Sequence, residues 1–174
     1  MRFSKYETQG AYHWRQYVRG GKYRRHVDRI VKWVSEDRIL DVGAGDGLIT
    51  YLLGATGLDS EPTAIDIAEA IGVKVFDGDA YELPYPDNSF DAITMIDVLE
   101  HFDTPEVALK EAHRVAPILY VTTPERGMVN DPFHVQEWLA SELPVFMAAN
   151  GWQLIGEVLT VPEEKNMYAK FQRI

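Results

Sequence analysis

Three glycines at alternate positions, Gly43, Gly45 and Gly47, have the clearest chemical meaning in this 174-residue sequence. The apolar run 39–42 before them predicts a buried strand, and residues 48–53 after them predict a helix. Glycine is needed where the backbone takes a positive φ or where a ligand comes close to the main chain. A strand that enters a helix through such a turn presents backbone N–H groups and the positive end of the helix dipole. The segment therefore predicts a ligand site at the end of the first strand.

The spacing of the glycines indicates which ligand. A dinucleotide fingerprint needs Gly-x-Gly-x-x-Gly, but Leu48 stands where its third glycine belongs. With Asp41, the segment instead resembles the D-x-G-x-G-x-G motif of class I S-adenosylmethionine-dependent methyltransferases. The resemblance implies that the turn passes under the methionine part of that cofactor and that Asp41 lies near its amino group. The cofactor contacts implied here are Asp41, Gly43, Ala44, Gly45 and Gly47. A glycine-rich turn that binds no ligand is the alternative.

A second acidic residue is expected to hold the ribose of the cofactor. Residues 63–67 predict a second strand that ends in an acid, Asp66, 25 positions after Asp41. Nucleotide-binding folds place an acid ~20 residues beyond the glycine turn to bind ribose hydroxyls, and a carboxylate accepts from both vicinal hydroxyls. We therefore predict cofactor contacts at Asp66 and the neighbouring Ile67.

The segment 77–91 follows a third predicted strand, 73–76. By propensity alone it is a loop with a Pro-x-Pro-Asp turn. It resembles, almost residue for residue, the methyltransferase string GDA-x-x-LPFPDNSFD. The resemblance implies that Asp79 accepts a hydrogen bond from the adenine amine and that the backbone N–H of Ala80 meets a ring nitrogen.

Residues 91–97 predict the fourth strand, and candidate catalytic groups follow it. Open parallel sheets bind ligands at the carboxyl ends of their strands, so Asp97, Glu100 and His101 are expected at the mouth of the site. The run from Asp97 to His101 resembles the string found here in the type 11 (ubiquinone/menaquinone-biosynthesis-like) methyltransferases, which implies cofactor contacts at Ile96 and Asp97. His101 is a candidate general base because its unperturbed pKa is near neutrality, with Glu100 beside it. Alternatively, Glu100 and His101 only fix the shape of the loop or form a hydrogen bond with each other.

Candidate acceptor-binding residues lie in two other segments. Residues 1–21 are rich in aromatic side chains and include Tyr12 and Trp14; we consider them a cap that folds over the site. His134 follows the fifth predicted strand, 117–124, and resembles a histidine of the type 11 group that faces the substrate, although a histidine beside Phe and Trp is more often structural.

The elements that must position these residues belong to an α/β fold. An amphipathic helix is predicted for 22–34, a helix with Pro at its first position for 105–115, and a closing hairpin for 152–161 and 166–174. The resemblance implies a Rossmann-like, seven-stranded, mostly parallel sheet with helices on both faces and an antiparallel C-terminal strand. We predict a single methyltransferase domain over 1–174. Its parts are an N-terminal cap and helix (1–35), a cofactor-binding core (36–128), and a C-terminal helix with the hairpin (129–174). The methyltransferases that this chain resembles usually have a proline-glycine-glycine turn before the fifth strand, and this chain lacks it.

Composition narrows the class of protein. Hydrophobic residues make up 46%, which excludes a mainly disordered chain. There is no cysteine, so neither disulfides nor a thiolate metal site is expected, and no metal site is predicted. No apolar run approaches the ~18 residues of a membrane span, and no signal segment is recognised. We therefore expect a cytoplasmic protein.

Charge bears on the acceptor. Residues 1–38 carry ten basic against four acidic residues, whereas the remainder carries seven against twenty-three. An acidic body disfavours broad nucleic-acid binding, which depends on phosphate neutralisation. The resemblance implies methyl transfer from S-adenosylmethionine, and a small-molecule acceptor is the first hypothesis. The motif of amino-methylating DNA enzymes and the cysteine of pyrimidine C5 methylation are both absent. An RNA methyltransferase that uses the basic helix 22–34, or a non-catalytic cofactor-binding protein, is the alternative.

Overall fold

The computed structural model describes residues 5–174, and within them the strands form one seven-stranded sheet of order β3-β2-β1-β4-β5-β7-β6. The pairs from β3 to β5 are parallel, whereas β7 runs antiparallel to both β5 and β6. The predicted fold class is confirmed. The strands are β1 Ile39–Val42, β2 Thr56–Asp59, β3 Val75–Asp77, β4 Ala92–Ile96, β5 Ile118–Thr123, β6 Trp152–Val161 and β7 Asn166–Arg173.

Helices precede the sheet and connect its strands. They are α1 Lys5–Gln9, α2 Tyr12–Arg19, α3 Lys22–Trp33, α4 Leu48–Leu53, α5 Pro62–Ile71, a 3₁₀ turn Leu99–His101, α6 Pro105–Val115 and α7 Leu143–Ala149. No helix among the described residues has the length and apolar character needed to cross a membrane. The predicted cap over 1–21 corresponds to α1 and α2, except that its first four residues lie outside the described part of the chain.

The packing of two neighbouring residues of β5 shows which helices lie on each face of the sheet. Side chains of successive strand residues point to opposite faces. Tyr120 packs with the group that includes Ile30 of α3 and Leu48 of α4. Leu119 packs with the group that includes Leu109 of α6. Burial of both faces explains why the parallel strands read as nearly continuous apolar runs.

The prediction of a strand over 63–67 is wrong, because these residues lie within helix α5. Pro62 occupies the first turn of α5, and Gly72 ends the helix in the left-handed conformation. Ala64 and Ala68, one turn apart, are the buried positions of the helix. The second strand lies earlier, at β2, and its terminal acid is Asp59.

The other elements agree with expectation to within one or two residues at their ends. The third strand begins at Val75 rather than Val73, because the N–H of Val73 donates to the carbonyl of Ala68 at 2.9 Å and closes α5. Helix α6 leads into β5 through only two residues, the extended Ala116 and Pro117, so the connection is short, as the sequence predicts.

Candidate functional site

The turn after β1 is held by close approaches to other parts of the chain. Gly45 has φ +55°, and a Cβ at this position would overlap the Tyr6 hydroxyl oxygen of α1. A Cβ at Gly43 would meet Val98, and one at Gly47 would meet Val73. The glycines therefore let the turn pack tightly between the N-terminal helix, the loop after β4 and the end of α5.

Asp59 links this turn to the end of β2. Its carboxylate accepts hydrogen bonds from the backbone N–H of Gly45 at 2.7 Å and from that of Glu61 at 2.8 Å. Burial raises the pKa of Asp59, although the backbone donors oppose that shift. Asp59 thus occupies the position at the end of the second strand that the sequence analysis gave to Asp66. Asp66 itself is exposed on α5.

Asp41, the acid that opens the glycine motif, is only 2% exposed and is held by two hydroxyl groups. Thr50 donates to one of its oxygens at 2.7 Å and Thr94 to the other at 2.8 Å. Burial raises the pKa of Asp41 to about 6, although both hydroxyl donors favour the charged form. Asp41 therefore connects β1 with α4 and β4 from inside the protein.

Asp46, between two of the glycines, binds the N-terminal helices to the turn. Its fully buried carboxylate accepts from the backbone N–H of His13 at 2.8 Å and lies 3.2 Å from Nδ1 of the same histidine. The indole N–H of Trp14 donates to the backbone carbonyl of Asp46 at 2.8 Å. The start of α2 is thus fixed directly on the glycine turn.

These elements surround a cavity of about 770 Å³. The carboxyl ends of β1, β2 and β4, the helices α1 to α3, the loop after β5 and the turn of the C-terminal hairpin all contribute to its walls. Of the predicted site residues, those that line it are Asp41, Gly43, Ala44, Ala80, Ile96, Asp97, Glu100, His101, Tyr12 and His134.

Six predicted site residues lie outside the cavity lining: Gly45, Gly47, Asp66, Ile67, Asp79 and Trp14. Asp66 and Ile67 lie on α5, because the strand predicted for them is a helix. Asp79 is exposed, and its carboxylate accepts from the backbone N–H of Tyr81 at 2.8 Å, which leaves Ala80 as the buried cavity residue of that loop. Trp14 packs beside α4, with its ring centroid 5.4 Å from that of Tyr51.

Asp97, at the end of β4, begins a buried polar chain that the sequence analysis did not find. The residue has φ +54°, an unusual conformation for a non-glycine residue. Its carboxylate accepts from the Thr122 hydroxyl at 2.7 Å and lies 3.3 Å from Nε2 of His26. Burial alone would raise the pKa of Asp97, but His26, Thr122 and Asn166 lower it.

The chain continues on the other side of the His26 ring. Nδ1 of His26 lies 2.6 Å from the hydroxyl of Tyr168, which donates to Glu164. Arg29 binds the same carboxylate through two nitrogens, each at 3.1 Å. These residues come from α3, β7 and the hairpin turn, so only the folded chain brings them together.

Glu100, His101 and His134 meet at another part of the wall. Glu100 is 1% exposed, and neither of its carboxylate oxygens has a hydrogen-bond partner within the described residues. Burial raises the pKa of Glu100, and the Asp97 charge adds to this effect. The rings of His101 and His134 lie 5.1 Å apart, edge to face. Burial lowers the pKa of His101, whose Nδ1 is 2.9 Å from the carbonyl oxygen of Phe133.

Two further cavity residues could not be assigned from local sequence. Tyr6 and Tyr23 line the cavity from α1 and α3. For Asp59, by contrast, a signal was present: it ends the short uncharged segment 55–58 and lies 18 positions after Asp41, closer to the usual spacing than Asp66.

Comparison with known proteins relates this fold and motif to a family. Residues 40–117 match the sequence model of the type 11 methyltransferase domain family. Over this stretch, which is a little under half of the chain, the protein is similar to the class I methyltransferases of type 11. The matched stretch contains the glycine turn, Asp59, and the segment from Asp97 to His101.

Relatives and a solved structure agree with this similarity. A demethylmenaquinone methyltransferase of Thermotoga maritima is 34% identical over 103 residues, which cover 54% of this chain and 45% of that protein. An uncharacterised methyltransferase of Bacillus subtilis is 28% identical, with 67% and 57% covered. The chain therefore spans about half the length of these curated relatives. A crystal structure of a SAM-dependent methyltransferase from Thermotoga maritima superposes with a TM-score of 0.80 and 21% identity, covering 99% of this chain and 100% of that one.

Proposed function

We propose that this protein transfers a methyl group from S-adenosylmethionine to a small-molecule acceptor, and that residues 1–174 act as one methyltransferase domain. The observation that carries the proposal is the joining of the glycine turn to Asp59 on the wall of a cavity that His101 and His134 also line. The volume of about 770 Å³ is in the usual range for small-ligand sites.

The residues present suit the cofactor. Each oxygen of Asp59 accepts one backbone hydrogen bond, and a carboxylate offers about four acceptor positions, so capacity remains for two ribose hydroxyls. Leu58, Ala80 and Phe102 give the cavity apolar lining of the kind that an adenine ring needs. Gly43 and Ala44 present main chain rather than large side chains toward the methionine part.

S-adenosylmethionine supplies a methyl group that is already activated on its sulfonium, so the protein contributes mainly binding and orientation. Tyr12, His101 and His134 are our candidates for holding the acceptor. Where the acceptor must lose a proton, His101 is our candidate base, because its lowered pKa keeps the imidazole neutral near pH 7. Asp97, fixed by Thr122 and His26, holds the end of β4 in its unusual conformation beside the cofactor region.

Contacts of helix α3 count against the RNA alternative. Arg29, on its basic face, is engaged by Glu164, and Arg24 lies 3.6 Å from Asp28. Trp33, which could have stacked on a base, packs edge to face on Tyr120 with centroids 4.7 Å apart. Tyr23 lines the cavity instead of the outer surface.

Calorimetric titration with S-adenosylmethionine, and separately with S-adenosylhomocysteine, tests the proposal. We expect both to bind at one site and to compete. Acceptors are then screened with a labelled methyl donor. Absence of binding by either ligand, also in the presence of the acceptor mixture, would overturn the proposal. Salt-dependent RNA binding together with labelled RNA would favour the nucleic-acid alternative.

A further inference from the structure

Glu100, His101 and His134 form a compact group of metal-ligand side chains in the cavity wall. One ligand atom of each lies within 4.8 Å of those of the other two. The 3₁₀ turn after β4 supplies two of the residues and the loop after β5 supplies the third. The backbone carbonyl of Glu100 accepts from the N–H of Val135 at 2.8 Å, so the turn and the loop are fastened together beside the group.

The carboxylate of Glu100 is the most informative member. It is buried to 1% exposure, and neither oxygen has a hydrogen-bond partner within residues 5–174. A buried carboxylate without a partner is costly, so the group holds a proton unless a cation or several donors compensate its charge. Lys5 also lines the cavity, but its ammonium group is engaged by Asp131 at 2.6 Å. A bound cation would supply what Glu100 lacks.

Both histidine rings are oriented in the way that metal ligands are. Nδ1 of His101 lies 2.9 Å from the carbonyl oxygen of Phe133, which can only accept, so Nδ1 carries the proton and Nε2 the lone pair. Nδ1 of His134 lies 3.0 Å from a carboxylate oxygen of Glu137, which assigns the same tautomer. Metal-binding histidines usually donate their other N–H to a carbonyl or a carboxylate, as both do here.

We propose that Glu100, His101 and His134 bind a divalent transition-metal ion. Two imidazoles and one carboxylate are the donors of zinc and of other first-row transition metals, whereas magnesium and calcium prefer oxygen ligands. Donors on one such ion lie roughly 3–4 Å apart, given bond lengths of about 2.0–2.2 Å, and the three donors here lie within 4.8 Å of one another before any ion is bound.

Three protein ligands leave coordination positions open toward the cavity. A methyl acceptor with an oxygen or nitrogen donor atom could occupy one of these positions. Coordination of the acceptor rests on the proposed function, whereas binding of the ion does not. In the metal-bound protein His101 serves as a ligand, so the role of His101 as a candidate base applies only to the metal-free protein.

Direct metal titration tests the site. The full chain, without an affinity tag and stripped with a chelator, is titrated with Zn²⁺ by calorimetry and with Co²⁺ by visible absorption, and Mg²⁺ serves as the comparison ion. We expect one Zn²⁺ to bind per chain and Mg²⁺ to bind much more weakly. Bound Co²⁺ should give a visible absorption band that disappears when Zn²⁺ displaces it. The variants Glu100→Gln and His134→Ala should each weaken zinc binding at least 100-fold. Glu137→Gln changes the partner of the His134 ring and keeps a side-chain oxygen for the N–H of Gly127, and it should weaken zinc binding about 10–100-fold.

His113→Ala is the matched control, because His113 lies on α6 beside Gly151 and outside the cavity lining. It should bind zinc as the wild type does, and circular dichroism checks that each variant is folded. Failure of the folded wild type to bind Zn²⁺, or equal affinity in His113→Ala, Glu100→Gln and His134→Ala, would overturn the site. Titration of the stripped protein with S-adenosylmethionine tests the proposed function separately, so the two can fail independently.

Discussion

The carboxylate of Asp59 accepts a 2.7 Å hydrogen bond from the backbone N–H of Gly45, joining the end of β2 to the turn after β1. A second bond, from the N–H of Glu61, fixes the other carboxylate oxygen. The acid is therefore oriented before any ligand arrives. Such preorganisation reduces the entropy that binding must overcome.

Replacement of Asp59 should weaken cofactor binding. Asp59→Asn keeps the shape of the side chain but replaces one acceptor oxygen with a donor and removes the charge. Hydrogen bonds to charged groups contribute about 1.5–3 kcal/mol, so we expect roughly 10- to 100-fold weaker binding of S-adenosylmethionine by calorimetry. Asp66→Asn is the matched control and should bind normally, because Asp66 is exposed on α5. Weaker binding by Asp66→Asn and normal binding by Asp59→Asn would refute our assignment of the ribose position.

A side chain at Gly45 should destabilise the junction with α1. The backbone there has φ +55°, a left-handed conformation that costs an L-residue about 1–2 kcal/mol. The added Cβ would also overlap the Tyr6 hydroxyl oxygen, so Gly45→Ala should lower the free energy of unfolding by more than about 2 kcal/mol.

Gly54→Ala separates the two contributions, because Gly54 has φ +63° and no atom within 4 Å of its built Cβ. Gly54→Ala should lower the free energy of unfolding only by the cost of the left-handed backbone conformation. Denaturant unfolding of both variants measures the two free energies. Tyr6→Phe in the Gly45→Ala background should recover part of the difference. Equal destabilisation by Gly45→Ala and Gly54→Ala would mean that Tyr6 does not pack on the turn.

Local sequence signals predicted most of the fold because they coincide with what packing requires. Helix α6 begins at Pro105 with Glu106 in its first turn, and the predicted bounds are the observed ones. The strand predicted for 63–67 is instead part of helix α5, whose ends are set by Pro62 and Gly72. In the folded chain Ala64 and Ala68 bury one face of α5, which alternation alone does not reveal.

The site was predicted less completely because its side chains come from distant positions. His26 meets Tyr168 across 142 positions and Lys5 meets Asp131 across 126, and no local pattern encodes such pairs. Glu100 and His101 were identified as neighbours of the site from one motif. Their meeting with His134 depends on how the loop after β5 folds back onto the turn after β4.

Stability should depend on pH through Asp41. Burial raises its pKa from 3.8 to about 6, so between these values the folded protein holds a proton that the unfolded chain has released. This proton favours folding at low pH, and the advantage disappears as the pH rises through about 6. Relative to Asp41→Asn, the wild type should therefore lose up to about 3 kcal/mol of stability between pH 4 and pH 7.

Urea unfolding of both proteins at several pH values measures this difference. Thr94→Val gives a second check, because it removes a hydroxyl that favours the charged carboxylate and should therefore make the loss steeper. A constant difference between wild type and Asp41→Asn from pH 4 to pH 7 would show that Asp41 titrates normally in the folded protein.

Replacement of Asp46 should release the N-terminal helices from the glycine turn. Its fully buried carboxylate accepts from the backbone N–H of His13 at 2.8 Å, and Asp46→Ala leaves that donor without its acceptor. A lost hydrogen bond of this kind costs about 1–3 kcal/mol. We expect faster amide hydrogen exchange over 5–19, with little change in β1 and β4, because the central strands keep their own pairing.

Val18→Ala is the comparison for this variant, since Val18 lies on α2 but is 77% exposed and takes no part in the contact with the turn. It should leave exchange over 5–19 unchanged. If Asp46→Ala instead accelerates exchange equally in α2 and in β1, the two elements open in one cooperative step. That result would contradict the prediction that the carboxylate stabilises only the N-terminal helices. If exchange in α2 alone increases, the N-terminal helices form a separately opening unit over the cavity, and cofactor affinity in Asp46→Ala then measures how much their closure contributes to binding.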